Sequence, residues 1–171
     1  TTDPKLAEAF ATLDDKNLEA FLAAPADKFP SGATAWGKKH FRWTVEIDAA
    51  ELTRRVAAEY PKLGAIRALE PVKRSRGGRI GALRIVGAKG TVVAEGDLHL
   101  RRLLGGLKST LFVVSAKGPA DAPTAFVFRG AGFGHGVGMD QVGAIGLAAA
   151  GKSHAEILAR YYAGSHLHRL Y

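Results

Sequence analysis

Six of the fourteen residues from 130 to 143 are glycine, in the run Gly130-Ala-Gly132-Phe-Gly134-His135-Gly136-Val-Gly138-Met-Asp140-Gln141-Val-Gly143. Glycine loses more backbone entropy on folding than any other residue and contributes no side-chain packing. A cluster this dense marks a backbone forced into turns or pressed close to something else. An alternating Gly-X-Gly pattern also lets consecutive N–H groups converge into a concavity that takes an anion or an oxygen. The chemistry of the chain is expected here. Two nucleotide-binding readings fail: the spacing around His135 is not G-x-G-x-x-G at a strand-to-helix turn with an acid about 20 residues on, and no P-loop Lys-Ser/Thr ending follows.

Around this segment the pattern predicts a single α+β domain of mainly antiparallel, hairpin-connected strands and several short helices. Residues 3–23 read as helix, broken near Asp14-Asp15, and residues 24–40, with Pro25, Pro30, Gly32 and Gly37, read as a loop. The expected division is 1–40 for this helix and loop, and 41–171 for the main domain. Alternation over residues 42–47 predicts a strand. Asp48-Ala-Ala-Glu51 reads as a capping box opening a helix through Tyr60, ended by Pro61. Strands are expected over 63–72, 79–86 and 91–95, with hairpin turns at Gly77-Gly78 and residues 87–90. Asp97 is expected to cap a short helix running to Gly105-Gly106. Strands follow over 110–115 and 125–128. Asp140 is placed to N-cap a helix over 141–150, and Ser153-His-Ala-Glu156 is a capping box for another ending near Gly164. Residues 167–171 read as a short strand.

The 171 residues carry a formal charge of +8 and no cysteine. Zero cysteines exclude disulfides and thiolate metal sites without choosing a compartment. The charge favours anionic partners. No named nucleic-acid motif accompanies it, so no nucleic acid is expected. There is no run of about 18 apolar residues to span a membrane, and no signal-peptide pattern at Thr1-Thr2-Asp3-Pro4. The reading is of an excised or processed segment.

From Arg129 onward the chain runs through Ile145-Gly-Leu-Ala-Ala-Ala-Gly151-Lys-Ser153-His-Ala-Glu156-Ile157-Leu158-Ala-Arg-Tyr161-Tyr162-Ala-Gly164. This resembles the end of the SpoIID/LytB family (stage II sporulation protein D, amidase enhancer). The shared pattern is a GxGxGHGVGM-(S/C)-Q-x-GA core, an alanine-rich helix and an IL-x-x-YY-x-G tail. Weaker similarity covers Trp43-Thr-Val-Glu-Ile with Glu51-Leu52, Arg74-Ser75-Arg76-Gly77-Gly78-Arg79-Ile80, and Gly96-Asp97 through Ser109 and Phe112. Together these span residues 41–171 in the family's order.

The resemblance implies a bacterial cell-wall domain, extracytoplasmic (periplasm or cell wall), acting on peptidoglycan glycan strands. The implied activity is lytic transglycosylation of peptide-stripped strands. The alternative is a non-catalytic wall-binding module or amidase enhancer, with a cell-wall amidase as partner. The family's E-A-L-K-A-Q-A-V-A-A-R-T-Y segment, which bears its catalytic glutamate, has no counterpart here, and Asp140 stands where the family has Ser or Cys. The chain therefore reads as the C-terminal part of that domain.

Gly134, His135, Gly136, Asp140 and Gln141 are the expected substrate-binding residues. The His135 imidazole either reaches a cleft, to exchange a proton or bond a sugar hydroxyl, or ties the loop to backbone carbonyls. Asp140 is better placed for capping than for catalysis. Gln141 has an amide suited to sugar hydroxyls or N-acetyl groups, and an equally available structural role. Glycan cleavage needs a protonated carboxylic acid near the leaving oxygen, and a lytic transglycosylase can use one alone, the sugar's own 6-hydroxyl replacing water. Glu46 reads as the solvent face of a strand, and Glu51 and Glu156 as capping residues, so no acid receives a catalytic assignment. No metal or cofactor is expected: His166 and His168 share a spacing of two but lack a third ligand. Trp36 and Trp43 read as core or lid packing, with sugar stacking as the alternative. The basic cluster at residues 73–79 reads as a solvated hairpin tip that could contact an anionic polymer.

Overall fold

A computed structural model describes residues 3–168. The fold is the expected mixed α+β domain. Its order is α1 (Pro4–Ala9), α2 (Leu18–Ala23), a 3₁₀ turn (Ala26–Lys28), α3 (Pro30–Ala33), α4 (Ala35–His40), β1 (Arg42–Asp48), α5 (Ala49–Ala57), β2 (Ile66–Arg74), β3 (Ile80–Gly87), β4 (Gly90–Glu95), α6 (Asp97–Leu103), β5 (Phe112–Lys117), β6 (Ala125–Ala131), α7 (Gln141–Ala149) and α8 (His154–Tyr161). Two three-stranded antiparallel sheets form, β1-β6-β5 and β2-β3-β4.

One face of β1-β6-β5 carries Trp43, Val45 and Ile47 opposite Gly130, Phe128 and Phe126, with Phe112 and Val114 alongside. This is the period-2 alternation of a half-buried strand. Those side chains meet Leu52 and Val56 of α5, Leu100 and Leu103 of α6, and Leu83 and Ile85 of β3 in the main core. Burying each such side chain stabilises the fold by roughly 1.5–3 kcal/mol. Trp43 is 7% exposed, and its indole lies across Gly130, where a Cβ would fall 2.3 Å from the ring. Its packing role is the one expected of it.

The opposite face of that sheet holds a second core built from the N-terminal elements. Leu13, Leu18, Phe21 and Phe29 pack with Leu111 and Ala131, and Phe10 and Phe41 join them. Arg42 points into this layer from β1, its guanidinium 4.3 Å from the ring centres of both Phe21 and Phe41.

Several local expectations are corrected. The helix over 3–23 does break at Asp14-Asp15 as expected, but the break is wider, from Phe10 to Asn17, leaving two short helices. Asn17 donates to the Ala9 and Thr12 carbonyls and pins the intervening turn. Residues 24–40 are not a loop: Pro30 occupies the first turn of α3, and the Thr34 hydroxyl caps α4 by accepting from the Gly37 N–H. Proline and glycine here start and seat short helices. The 48–51 capping box does not form. Asp48 makes no side-chain cap, and Glu51 is taken by Arg54 and Arg55, whose charged donors outcompete an amide. Asp97 lies inside α6 behind Gly96, which turns the chain at φ +92°, and its carboxylate accepts from the Thr110 hydroxyl at 2.6 Å.

The caps at Asp140 and Ser153–Glu156 form as expected. Residues 167–168 are not in a strand, and the rest of that expected strand, 169–171, lies outside the described residues.

Candidate functional site: a glycine-loop cleft

Beyond β6 the backbone alternates. Gly132, Gly134, Gly136 and Gly138 take φ of +72°, +90°, +71° and +79°. The left-handed region costs an L-residue roughly 1–2 kcal/mol, so only glycine sustains this zigzag without penalty. The residues between them, Phe133, His135 and Val137, and Met139 just after, are exposed.

Four hydrogen bonds hold the loop. The Gly132 N–H donates to the Phe41 carbonyl (2.8 Å), and its own carbonyl accepts from Trp43 Nε1 (3.0 Å). The Gly134 N–H donates to the Lys108 carbonyl (2.8 Å), and its carbonyl accepts from Arg79 Nη1 (2.7 Å).

Arg79 is the residue that sequence reasoning misplaced. It is not part of a solvated tip. Its side chain is 18% exposed and lies beneath the loop, where a Cβ on Gly136 would stand 1.9 Å from its Nε. Burial lowers its pKa, partly offset by Asp97 at 3.9 Å. Arg74 of the same cluster also turns inward, donating to the Gly78 carbonyl and pairing with Asp15. Lys73 and Arg76 are exposed. The one signal for Arg79 in the sequence was its place in the R-S-x-x-G-R segment.

The loop, α4 and the start of α7 enclose an open cleft of about 1110 Å³. All five expected residues line it: Gly134, His135, Gly136, Asp140 and Gln141. The Val137 N–H donates to His135 Nδ1 at 3.1 Å. A backbone N–H can only donate, so the neutral ring carries its proton on Nε2. His135 thus lines the cleft and also braces the loop, through an amide rather than the carbonyls anticipated.

Asp140 has both oxygens occupied. Oδ1 accepts from the Val142 N–H at 3.1 Å, capping α7, and Oδ2 accepts from the Ser31 hydroxyl of α3. Tyr161 of α8 is also close, and its pKa is raised by burial and then by the Asp140 charge. Gln141, the first residue of α7, is exposed.

Trp36 is not core. It is 48% exposed on the cleft wall, 4.4 Å from the His40 ring and 6.4 Å edge-on from Phe133. From the sequence, sugar stacking by Trp36 is the alternative to packing, and His40 carries no assignment.

Asp140 is the single carboxylate among the described residues lining the cleft. Glu46 pairs with Lys117 at 2.7 Å on the outer sheet face. Glu51 is held by two arginines, and Glu156 by Lys152 and the Ser153 cap, which lower its pKa to about 2. No group of three potential metal ligands gathers among the described residues, and His166 and His168 are both exposed.

Residues 2–138 match the family described as Domain of unknown function (DUF8618). The chain belongs to this family. The DUF8618 match takes in both sheets and the glycine loop as far as Gly138, and stops short of α7 and α8. Among curated proteins, none matches the chain.

Proposed function

We propose that this DUF8618 member is a peptidoglycan-directed domain of SpoIID/LytB type whose cleft receives a glycan strand outside the cytoplasm. One observation carries the reading: five residues singled out from the sequence share one open cleft with an aromatic wall. An amphipathic cleft with a few convergent polar groups is the usual form of a small-ligand site. His135 contributes an Nε2–H donor and Gln141 a donor–acceptor amide, which suit sugar hydroxyls and N-acetyl groups. The net charge of +8 suits a strand bearing carboxylates.

Strand cleavage of the lytic transglycosylase kind requires a carboxylic acid at the glycosidic oxygen. Asp140, with its oxygens already accepting from Val142 and Ser31, is a capping residue and not that acid. This favours a second reading, a non-catalytic wall-binding module or amidase enhancer with a cell-wall amidase as partner.

Incubation with peptide-stripped glycan, followed by mass spectrometry for 1,6-anhydro-muramyl ends, separates the two. Anhydro products indicate a transglycosylase, and retention on glycan without products indicates the module. Failure to bind glycan at all overturns both.

A further inference from the structure

We propose that Trp36 and His40 form a stacking platform for a pyranose ring of an anionic glycan, a subsite that rests on the glycan reading of the cleft and extends it to α4. Trp36 and His40 are four residues apart on one helix and so share a face. Their rings lie 4.4 Å apart at 31°, and the edge of Phe133 closes on the indole from the loop. The indole is therefore held in one orientation while remaining half exposed.

Tryptophan is enriched among binding hot spots, and ligand clefts are lined largely by apolar and aromatic side chains. A pyranose ring presents a face of C–H groups and a rim of hydroxyls. It needs an aromatic surface with donors nearby, and the same cleft holds the His135 imidazole and the Gln141 amide. The charge is complementary at the flank of the platform: Lys39, next to His40 in α4, is exposed and has no ion-pair partner among the described residues, although it does not itself line the cleft. A lipid surface fits less well, because a platform recessed in a cleft meets a strand and not a flat sheet of headgroups.

The test titrates the full chain with peptide-stripped glycan strands, following calorimetry and tryptophan emission. Trp43 is buried, so the responsive signal belongs to Trp36. Trp36→Ala is expected to weaken binding roughly tenfold, and Trp36→Phe, which keeps an aromatic face, less than about threefold. Trp36→Phe should also abolish the emission change. Both variants should melt within about 2 °C of wild type, since half-exposed positions carry little stability. Lys39→Glu tests the charge: binding to native glycan should fall, while binding to glycan with reduced carboxyls should not.

Wild-type binding matched within twofold by Trp36→Ala overturns the platform and leaves the cleft reading standing. Absence of wild-type glycan binding overturns both. Trp36-dependent binding to anionic phosphatidylglycerol vesicles, with no glycan binding, overturns the platform in favour of a lipid surface.

Discussion

At the scale of single residues, the loop depends on atoms that are missing. At Gly134 a Cβ would meet nothing within 4 Å, so Gly134→Ala bears only the left-handed backbone cost of roughly 1–2 kcal/mol. At Gly136 the same methyl drives into Arg79 and breaks its bond to the Gly134 carbonyl. Gly136→Ala should therefore cost about 1.5–3 kcal/mol more than Gly134→Ala in urea unfolding, the worth of a charge-assisted hydrogen bond. Arg42 makes the opposite point. Its Nε and Nη1 are buried with no hydrogen-bond partner, and burial lowers its pKa to about 10. Its favourable contacts are one bond to the Phe21 carbonyl and the faces of three phenyl rings. Arg42→Ala opens a cavity in the second core and should cost about 2–3 kcal/mol. Arg42→Met fills the space without the unpaired donors and should stay within about 1 kcal/mol of wild type by the same measurement.

At the scale of elements, two local devices respond to pH in opposite senses. Glu156 closes the capping box of α8, and its pKa falls to about 2 as Lys152 and the Ser153 amide and hydroxyl bond to it. A carboxylate with a depressed folded pKa stabilises above its unfolded value and loses that contribution as pH falls through the folded one. Hydrogen exchange should find α8 still protected at pH 4 and frayed near pH 2, whereas Ser153→Ala should fray it at both, at a cost of about 1 kcal/mol. His99 behaves the other way. Its Nε2 faces the Glu59 carboxylate at 2.9 Å and its Nδ1 the Glu95 carbonyl at 2.8 Å, and these contacts raise its pKa. The pair joins the chain just past α5 to α6. Its stabilisation is complete below the ordinary histidine range and is lost as pH rises through the raised value. His99→Asn should accordingly lower the melting temperature at pH 6 and leave it unchanged at pH 9.

At the scale of the whole molecule, the excess of positive charge acts through its field. If the cleft takes a carboxylate-bearing strand, glycan affinity should fall roughly tenfold between 50 and 300 mM NaCl, because shortening the screening length removes long-range attraction while leaving ring stacking intact. Calorimetry at the two salt concentrations checks this. The parts of the molecule legible in the sequence are those set within a few residues: the caps at Asp140 and Ser153, the alternation of β1, the hairpin turns near Gly78 and residues 87–90, and the left-handed glycine loop. Each follows from steric or hydrogen-bonding rules that act over one turn of chain. Residues 24–40 were misread because the prolines and glycines that begin and seat short helices are the same residue types that mark open loops. Asp48 and Glu51 matched a capping pattern, yet neighbouring arginines were the stronger partners. Tertiary structure alone decided that Arg79 turns beneath the loop while Arg76 of the same hairpin stays in water, and that Trp36 of α4 meets Phe133 of the loop. The physical reason is that burial of a charge or a ring depends on surfaces brought together from distant stretches of chain, and no local pattern of residues carries that information.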